Sequence, residues 1–200
     1  MLDTQQHNCM QFNAINLLFF IQKRLILKKC LKKYVDNWYT QFNDILRENF
    51  GKTTIHLIPF GNSLRSDDGV GIYIINELRK KIRNKKNNYI KIHSMKFIME
   101  TIFNYMQKGD LIIVLDAVRA NYPPGTILFE RISSTKFGFF GTHNIPLKLI
   151  LERQSLMDYS YLLGVVPYDL SIGEKLSTIV KSAADEIVDL LYRSIIRWSS

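Results

Sequence analysis

Apolar and polar positions change their spacing near residues 49–53 (NFGKT), and that change divides the chain. Before it, Ile15, Leu18, Ile21, Leu25 and Cys30–Leu31 fall on one face of a helix. Lys23, Arg24, Lys28, Lys29, Lys32 and Lys33 lie around the other. After it, short apolar runs alternate with helical spacing. Thr54–Phe60 (TIHLIPF) predicts a strand, and Ile74, Ile75, Leu78 and Ile82 predict a helix over Val70–Ile82. Tyr89–Ser94 predicts a second strand, and Thr101–Gln107 a helix stopped by Gly109. Asp110–Val118 (DLIIVLDAV) is a continuous apolar run, the pattern of a strand buried on both faces. A strand over Thr126–Ile132 follows the turn signal Pro123–Pro124–Gly125. His143–Arg153 then predicts a helix, Tyr161–Val166 a strand and Glu174–Trp198 a long closing helix. This alternation predicts an α/β fold with a mostly parallel sheet covered on both sides. The expected organisation is a basic helical N-terminal extension, residues 1–50, followed by an α/β domain, residues 51–200.

Composition narrows the picture without choosing a function. The 200 residues are 46% apolar and 22% charged, as in an ordinary globular protein. A formal net charge of +9 admits nucleic acid, an anionic membrane surface or an acidic protein as partner. The basic run Arg79–Lys86 (RKKIRNKK) has no interleaved aromatics to stack on bases, so it reads as a solvated helix end and no nucleic-acid partner is expected. The basic N-terminal helix either packs on the domain with its lysines in solvent or contacts a membrane surface or partner. Cys9 and Cys30 are the only cysteines, so a thiol nucleophile, a zinc finger and a disulfide framework are excluded from Gly51 onward. A reducing, cytoplasmic location is expected. No run reaches the ~20 apolar residues of a membrane span. Leu17–Ile21 (LLFFI) is short and is followed by its positive charges, the wrong order for a secretory signal.

The chemistry converges on the segment Pro59–Gly71 (PFGNSLRSDDGVG). Open α/β sheets bind ligands outside the carboxyl ends of their strands. Asp67 and Asp68 follow the first predicted strand, Asp116 ends the most apolar one, and His143 opens a helix after Gly138–Thr142 (GFFGT). All four fall on one rim. Two carboxylates and an imidazole make a divalent-metal set, because borderline ions take nitrogen and oxygen ligands together. Each residue also has an ordinary role open to it. Asp67 or Asp68 can cap the following helix. Asp116 can bond the next turn, and His143 can be a cap or an exposed histidine. His56, inside a strand run, reads as structural, while His93 can approach the rim from the second strand. There is no G-x-x-x-x-G-K-[ST] loop, no G-x-G-x-x-G spacing and no G-x-S-x-G elbow.

Five blocks occur in an order that resembles the hydrogenase maturation proteases: Gly61–Gly71 (GNSLRSDDGVG), Leu111–Val118 (LIIVLDAV), Pro124–Thr126, Thr142–Leu151 (THNIPLKLIL) and Leu163–Pro167 (LGVVP). The resemblance covers roughly Thr54 to Leu191 and is greatest to the hydrogenase-3 branch. It implies a three-layer α/β/α sandwich of the phosphorylase/hydrolase-like type with a mostly parallel, twisted sheet. It further implies an endopeptidase, grouped as aspartic-type, that removes the C-terminal extension of a [NiFe] hydrogenase large-subunit precursor after nickel insertion. The nickel is carried by the precursor, and no organic cofactor is implied. By the same resemblance Asp68 and Asp116 are catalytic, Asp68, Asp116 and His143 face the nickel, and Asn62 and Asp67 line the cleft. Two departures stand out. His93–Met99 (HSMKFIM) replaces a D-G-G-[TS]-like stretch, and the basic N-terminal segment has no counterpart. A metallohydrolase of the same fold and a non-catalytic binding module are the competing expectations.

Overall fold

The structure is a computed structural model that describes residues 38–83, 89–94, 103, 105–134, 138–139 and 144–199, with 138–139, 144–146 and 198–199 described by backbone alone. Residues 1–37, which carry most of the expected basic helix, lie outside the described residues. The compact unit runs Trp38–Ser200. Its first element is helix α1, residues 38–49. There follow β1 (Ile55–Pro59), a 3-10 turn (Ser66–Gly69), α2 (Val70–Ile82), β2 (Ile90–Ile92), β3 (Leu111–Arg119), β4 (Ile127–Arg131) and the two-residue β5 (Gly138–Phe139). Helix α3 (Asn144–Arg153), a 3-10 turn (Met157–Tyr159), β6 (Ser160–Val165) and α4 (Thr178–Ser199) complete the chain. Of the predicted helix over Thr101–Gln107, residues 101, 102 and 104 are not described; Phe103 is helical, whereas residues 105–107 form a turn and irregular backbone, so the expected helix does not extend to Gln107.

The sheet runs β2-β1-β3-β6-β4, and β5 pairs with the end of β3. The first four strands are mutually parallel, whereas β4 runs antiparallel to β6 at the edge. Strand β3 is central, with a neighbour on each side and a layer on each face. All of its residues but the last are buried accordingly.

Alternation along the strands gives each layer its apolar surface. Ile58, Phe60, Ile112, Val114 and Leu162 share a core with Phe103, Met106 and with Leu147 and Leu151 of α3. Leu57, Ile113, Leu115 and Leu163 face the other way and are also buried. That side is covered by α2 through Ile74, Ile75 and Leu78, and by α4, which packs along α2. Helix α1 lies on this side too: Phe42 meets Phe129 of β4 edge-on, and Ser194 of α4 donates to Asn43 at 2.9 Å. The fold is therefore a mixed α/β sandwich with a five-stranded, mostly parallel sheet flanked by helices.

Candidate active site

Strand order decides where a cleft can form. From β1 the chain crosses through α2 to β2 on one side, while β3 lies on the other side of β1. The connections leaving the carboxyl ends of β1 and β3 diverge, which opens a crevice between them. Asp68 lies in the turn after β1, and Asp116 lies near the end of β3 on the face it shares with Phe60.

Two glycines bring these acids together. Gly61 has φ +113°, in the region that favours glycine, and a Cβ there would overlap the carbonyl oxygen of Asp68 and come within 3.5 Å of Asp116 Oδ1. Gly71, in the first turn of α2, leaves no room for a Cβ against the carbonyls of Phe60 and Leu115. The start of the helix therefore lies directly against the ends of β1 and β3, which keeps the turn carrying Asp68 close to Asp116.

Asp68 and Asp116 are both buried. Asp116 Oδ1 accepts the Ala117 N–H at 2.8 Å. Its Oδ2 is buried and has no hydrogen-bond partner among the described residues. Burial pushes the Asp116 carboxyl well above the usual carboxylate range, the Ala117 N–H opposes this, and the charge of Asp68 adds to the rise. A buried acceptor oxygen without a donor requires a proton or a cation. The pair suits a divalent ion chemically, since hard and borderline ions take carboxylate oxygens. No group of three His, Cys, Asp or Glu side chains placed to hold a metal occurs among the described residues. His143 lies outside the described residues.

Asp67, one residue away, is surrounded quite differently. It is fully buried, and its Oδ2 accepts the N–H groups of Tyr168 and Asp169 at 2.9 and 2.8 Å and the Ser177 hydroxyl at 2.9 Å. Its Oδ1 accepts the Ser177 N–H at 2.6 Å, and its own N–H donates to Asp169 O. The N-cap positions of the 3-10 turn and of α2 are Arg65 and Gly69, with no side-chain cap bond at either. Asp67 thus shapes the loop and caps neither helix. Ser66 is held at φ +44° by its N–H bond to Gly173 O at 2.7 Å. Asn62 is exposed, and its Oδ1 accepts the Leu64 N–H at 3.0 Å in a local Asx turn. Sequence reasoning missed the partner loop, residues 167–177. Its polar run (PYDLSIGEKLS) signals a loop but not which acid it encloses.

A second buried polar cluster lies on the same face of the sheet, at its opposite end. His56 Nε2 is 3.2 Å from Asp110 Oδ2, and His56 Nδ1 is 2.8 Å from His93 Nε2. An ionised carboxylate only accepts, so His56 Nε2 carries the proton toward Asp110 and its Nδ1 accepts from His93 Nε2–H. The two rings are 16° from coplanar with centres 5.0 Å apart. In-line N–H···N bonding places imidazole centres about 5 Å apart, so this is a hydrogen-bonded chain and not a face-to-face stack. Asp110 also accepts the Gln107 N–H at 2.8 Å and a longer contact from the Thr53 hydroxyl at 3.2 Å. Burial lowers the pKa of His56 against the opposing pull of Asp110. Burial, then His56, Lys91 and Arg79, hold His93 down to about 4. His93 therefore turns back into the sheet, where the sequence also allowed it to reach the rim. The structural role expected for His56 holds.

The family model described as "HycI: Hydrogenase maturation protease" matches residues 72–194. No curated protein sequence matches the chain. Among solved structures, the [NiFe] hydrogenase maturation protease HycI from Thermococcus kodakarensis KOD1 superposes with a TM-score of 0.60 at 20% identity, covering 78% of this chain and 98% of that one. The hydrogenase maturating endopeptidase HybD from E. coli gives 0.58 at 19% identity, with 72% and 93% covered. HybD from T. kodakarensis gives 0.56 at 17% identity, with 72% and 99% covered. At these identities the structures establish a shared fold, and the family model carries the relationship.

Proposed function

As the chain belongs to the hydrogenase maturation protease family, we propose that it is the endopeptidase that removes the C-terminal extension of a [NiFe] hydrogenase large-subunit precursor once nickel is in place. Asp68 and Asp116 are the residues that meet the substrate, and His143 completes the set facing the metal. The observation that carries this reading is the buried Oδ2 of Asp116, which has no donor among the described residues at the switch point of the sheet beside Asp68. A fully committed structural site would close its ligand shell with its own side chains. Two acids at an open crevice suit a metal that arrives in another protein with ligands of its own.

Within that arrangement the nickel is part of the substrate. The acids fix the precursor's metal centre, and with it the scissile bond, relative to the crevice. One carboxylate takes a proton from the attacking water as the new C–O bond forms. The C–N bond then breaks, and the proton passes to the leaving amine. A cation beside the pair favours the ionised form of Asp116 that this step requires. The proposed site of action is the cytoplasm. No helix of the described residues is long and apolar enough to cross a membrane.

Incubation with nickel-loaded and nickel-free precursor, followed by intact mass of the large subunit, tests the reading. Loss of a C-terminal peptide from the nickel-loaded sample alone is expected. An unchanged mass in both samples overturns it, and normal processing by both Asp68→Ala and His143→Ala overturns the site assignment.

A further inference from the structure

The loop after β1 and the loop before α4 are closed onto each other by backbone. Arg65 and Gly173 form a parallel bridge, Ser66 N–H donates to Gly173 O at 2.7 Å, and Gly173 N–H donates to Leu64 O at 3.0 Å. Arg65 Nη2 reaches Leu170 O at 3.3 Å, and the Asp67 carboxylate holds both loops from beneath. The closed pair carries three large apolar side chains into solvent: Leu64 is 58% exposed, Tyr168 73% and Ile172 93%. They are three of the eight large apolar side chains exposed among the described residues.

A mobile loop could fold such side chains under itself. Here the Leu64 carbonyl and the backbone of Gly173, the residue after Ile172, are bonded across the bridge. Leu64 N–H and Ser171 N–H are held by local bonds to Asn62 and Asp169, so this backbone is fixed where it presents the two side chains. Concentrated, exposed apolar groups of this kind mark interaction sites. Between the same two loops and α2 lies a cavity of about 400 Å3, lined in part by Ser63, Ser66, Ile72, Tyr73 and Leu176. Projecting side chains beside an open cavity suit a polypeptide, which supplies both a surface to cover them and a side chain to insert. The patch is also continuous with the catalytic rim, because Tyr168 N–H is bonded to the residue preceding Asp68. A polypeptide whose scissile bond reaches Asp68 therefore has this patch beside it.

We infer that Leu64, Tyr168 and Ile172 form a docking rim for the large-subunit precursor and bind an extended segment with bulky apolar side chains beside the scissile bond. The inference rests on the endopeptidase reading for the identity of its partner. It concerns binding and specificity, and it is separable from the chemistry.

The test uses the full chain carrying Leu64→Asp together with Ile172→Asp, both at exposed positions. Its melting temperature should equal that of the parent. With nickel-loaded precursor, KM should rise at least tenfold while kcat stays within twofold. In the Asp116→Asn background, where no turnover interferes, the same two changes should weaken precursor binding tenfold or more by biolayer interferometry. Unchanged affinity overturns the docking rim, as does a fall in kcat at constant KM. If sedimentation shows a dimer that the double variant splits without loss of precursor affinity, the patch binds a second copy of this chain and the inference falls. A parent that binds precursor through these residues but never cleaves it would sink the endopeptidase reading and leave the docking rim standing.

Discussion

Two buried polar clusters lie on one face of the same sheet, and they differ in how far their hydrogen bonds are satisfied. At the end from which β3 starts, Asp110, His56 and His93 bond one another, and Asp110 takes further bonds from Gln107 and Thr53. The cluster is closed and ties β1, the end of β2 and the start of β3 together. At the other end Asp116 has a buried oxygen that no described residue bonds, and the neighbouring charge of Asp68 makes its ionisation harder. Under the proposed function, burial alone therefore does not separate function from structure in this protein. The separating property is whether the fold itself supplies the last partner.

The largest effect should come from Asp116→Asn. It keeps an oxygen for the Ala117 N–H and removes the charge, so processing of nickel-loaded precursor should fall more than about 100-fold. Urea unfolding should find the fold as stable as before or more so, because a buried Asn needs no proton uptake on folding, whereas burial forces one on the Asp116 carboxyl. Reduced stability with normal processing would make Asp116 a structural acid like Asp110.

Asp67→Ala comes next. It removes the acceptor of three backbone N–H groups and one hydroxyl, and should destabilise the fold by about 3–5 kcal/mol. Activity should fall with it, since the loop that carries Asp68 loses its anchor. Asp67→Asn, which keeps one acceptor oxygen, should recover part of both losses.

Asp110→Ala should act on stability alone. Leaving His56 Nε2–H and the Gln107 N–H without their acceptor costs about 1–3 kcal/mol, read by urea unfolding. The processing rate below the melting transition should be unchanged. A selective loss of activity would show that the closed cluster communicates with the rim.

The smallest effect is a slope. His93 lies below its ordinary 6.5, at about 4, so the unfolded chain takes up this proton first as the pH falls. The stability contributed by the neutral histidine is complete above about pH 6.5 and is lost as pH drops from there toward 4. Asp110, pulled below its usual range by the Gln107 N–H and His56 despite its burial, extends the same trend at lower pH. One proton corresponds to at most about 1.4 kcal/mol per pH unit. His93→Gln should flatten the melting temperature between pH 6.5 and 4. An unaltered slope would remove His93 from the account.

The elements were largely legible because the sheet is buried on both faces. Continuous apolar runs mark β3 and β1, and helical spacing marks α2 over Val70–Ile82, the range observed. Strand direction was less accessible: nothing in ILFER distinguishes an antiparallel edge strand from a parallel one. At the site, the strand-end rule brought Asp68 and Asp116 to one rim, since both positions depend only on where strands stop. The distinct role of Asp67 depends on Tyr168, Asp169 and Ser177, and local spacing does not encode which distant loop folds over an acid. The same holds for His56, His93 and Asp110, whose register across three elements is set by the sheet. His143 remains a reading from the sequence.

The anchoring of Asp67 also fixes when the crevice can form. Its partners lie 101, 102 and 110 residues further along the chain, so closing these contacts requires β6 and the start of α4 to be in place. Contacts of such separation form slowly and late. A nascent or truncated chain ending before Ser177 already contains Asp68 and Asp116 but cannot hold the loop that positions them. Catalytic competence would then require the chain to extend through Ser177, and a protease stopped short of it could not trim its client.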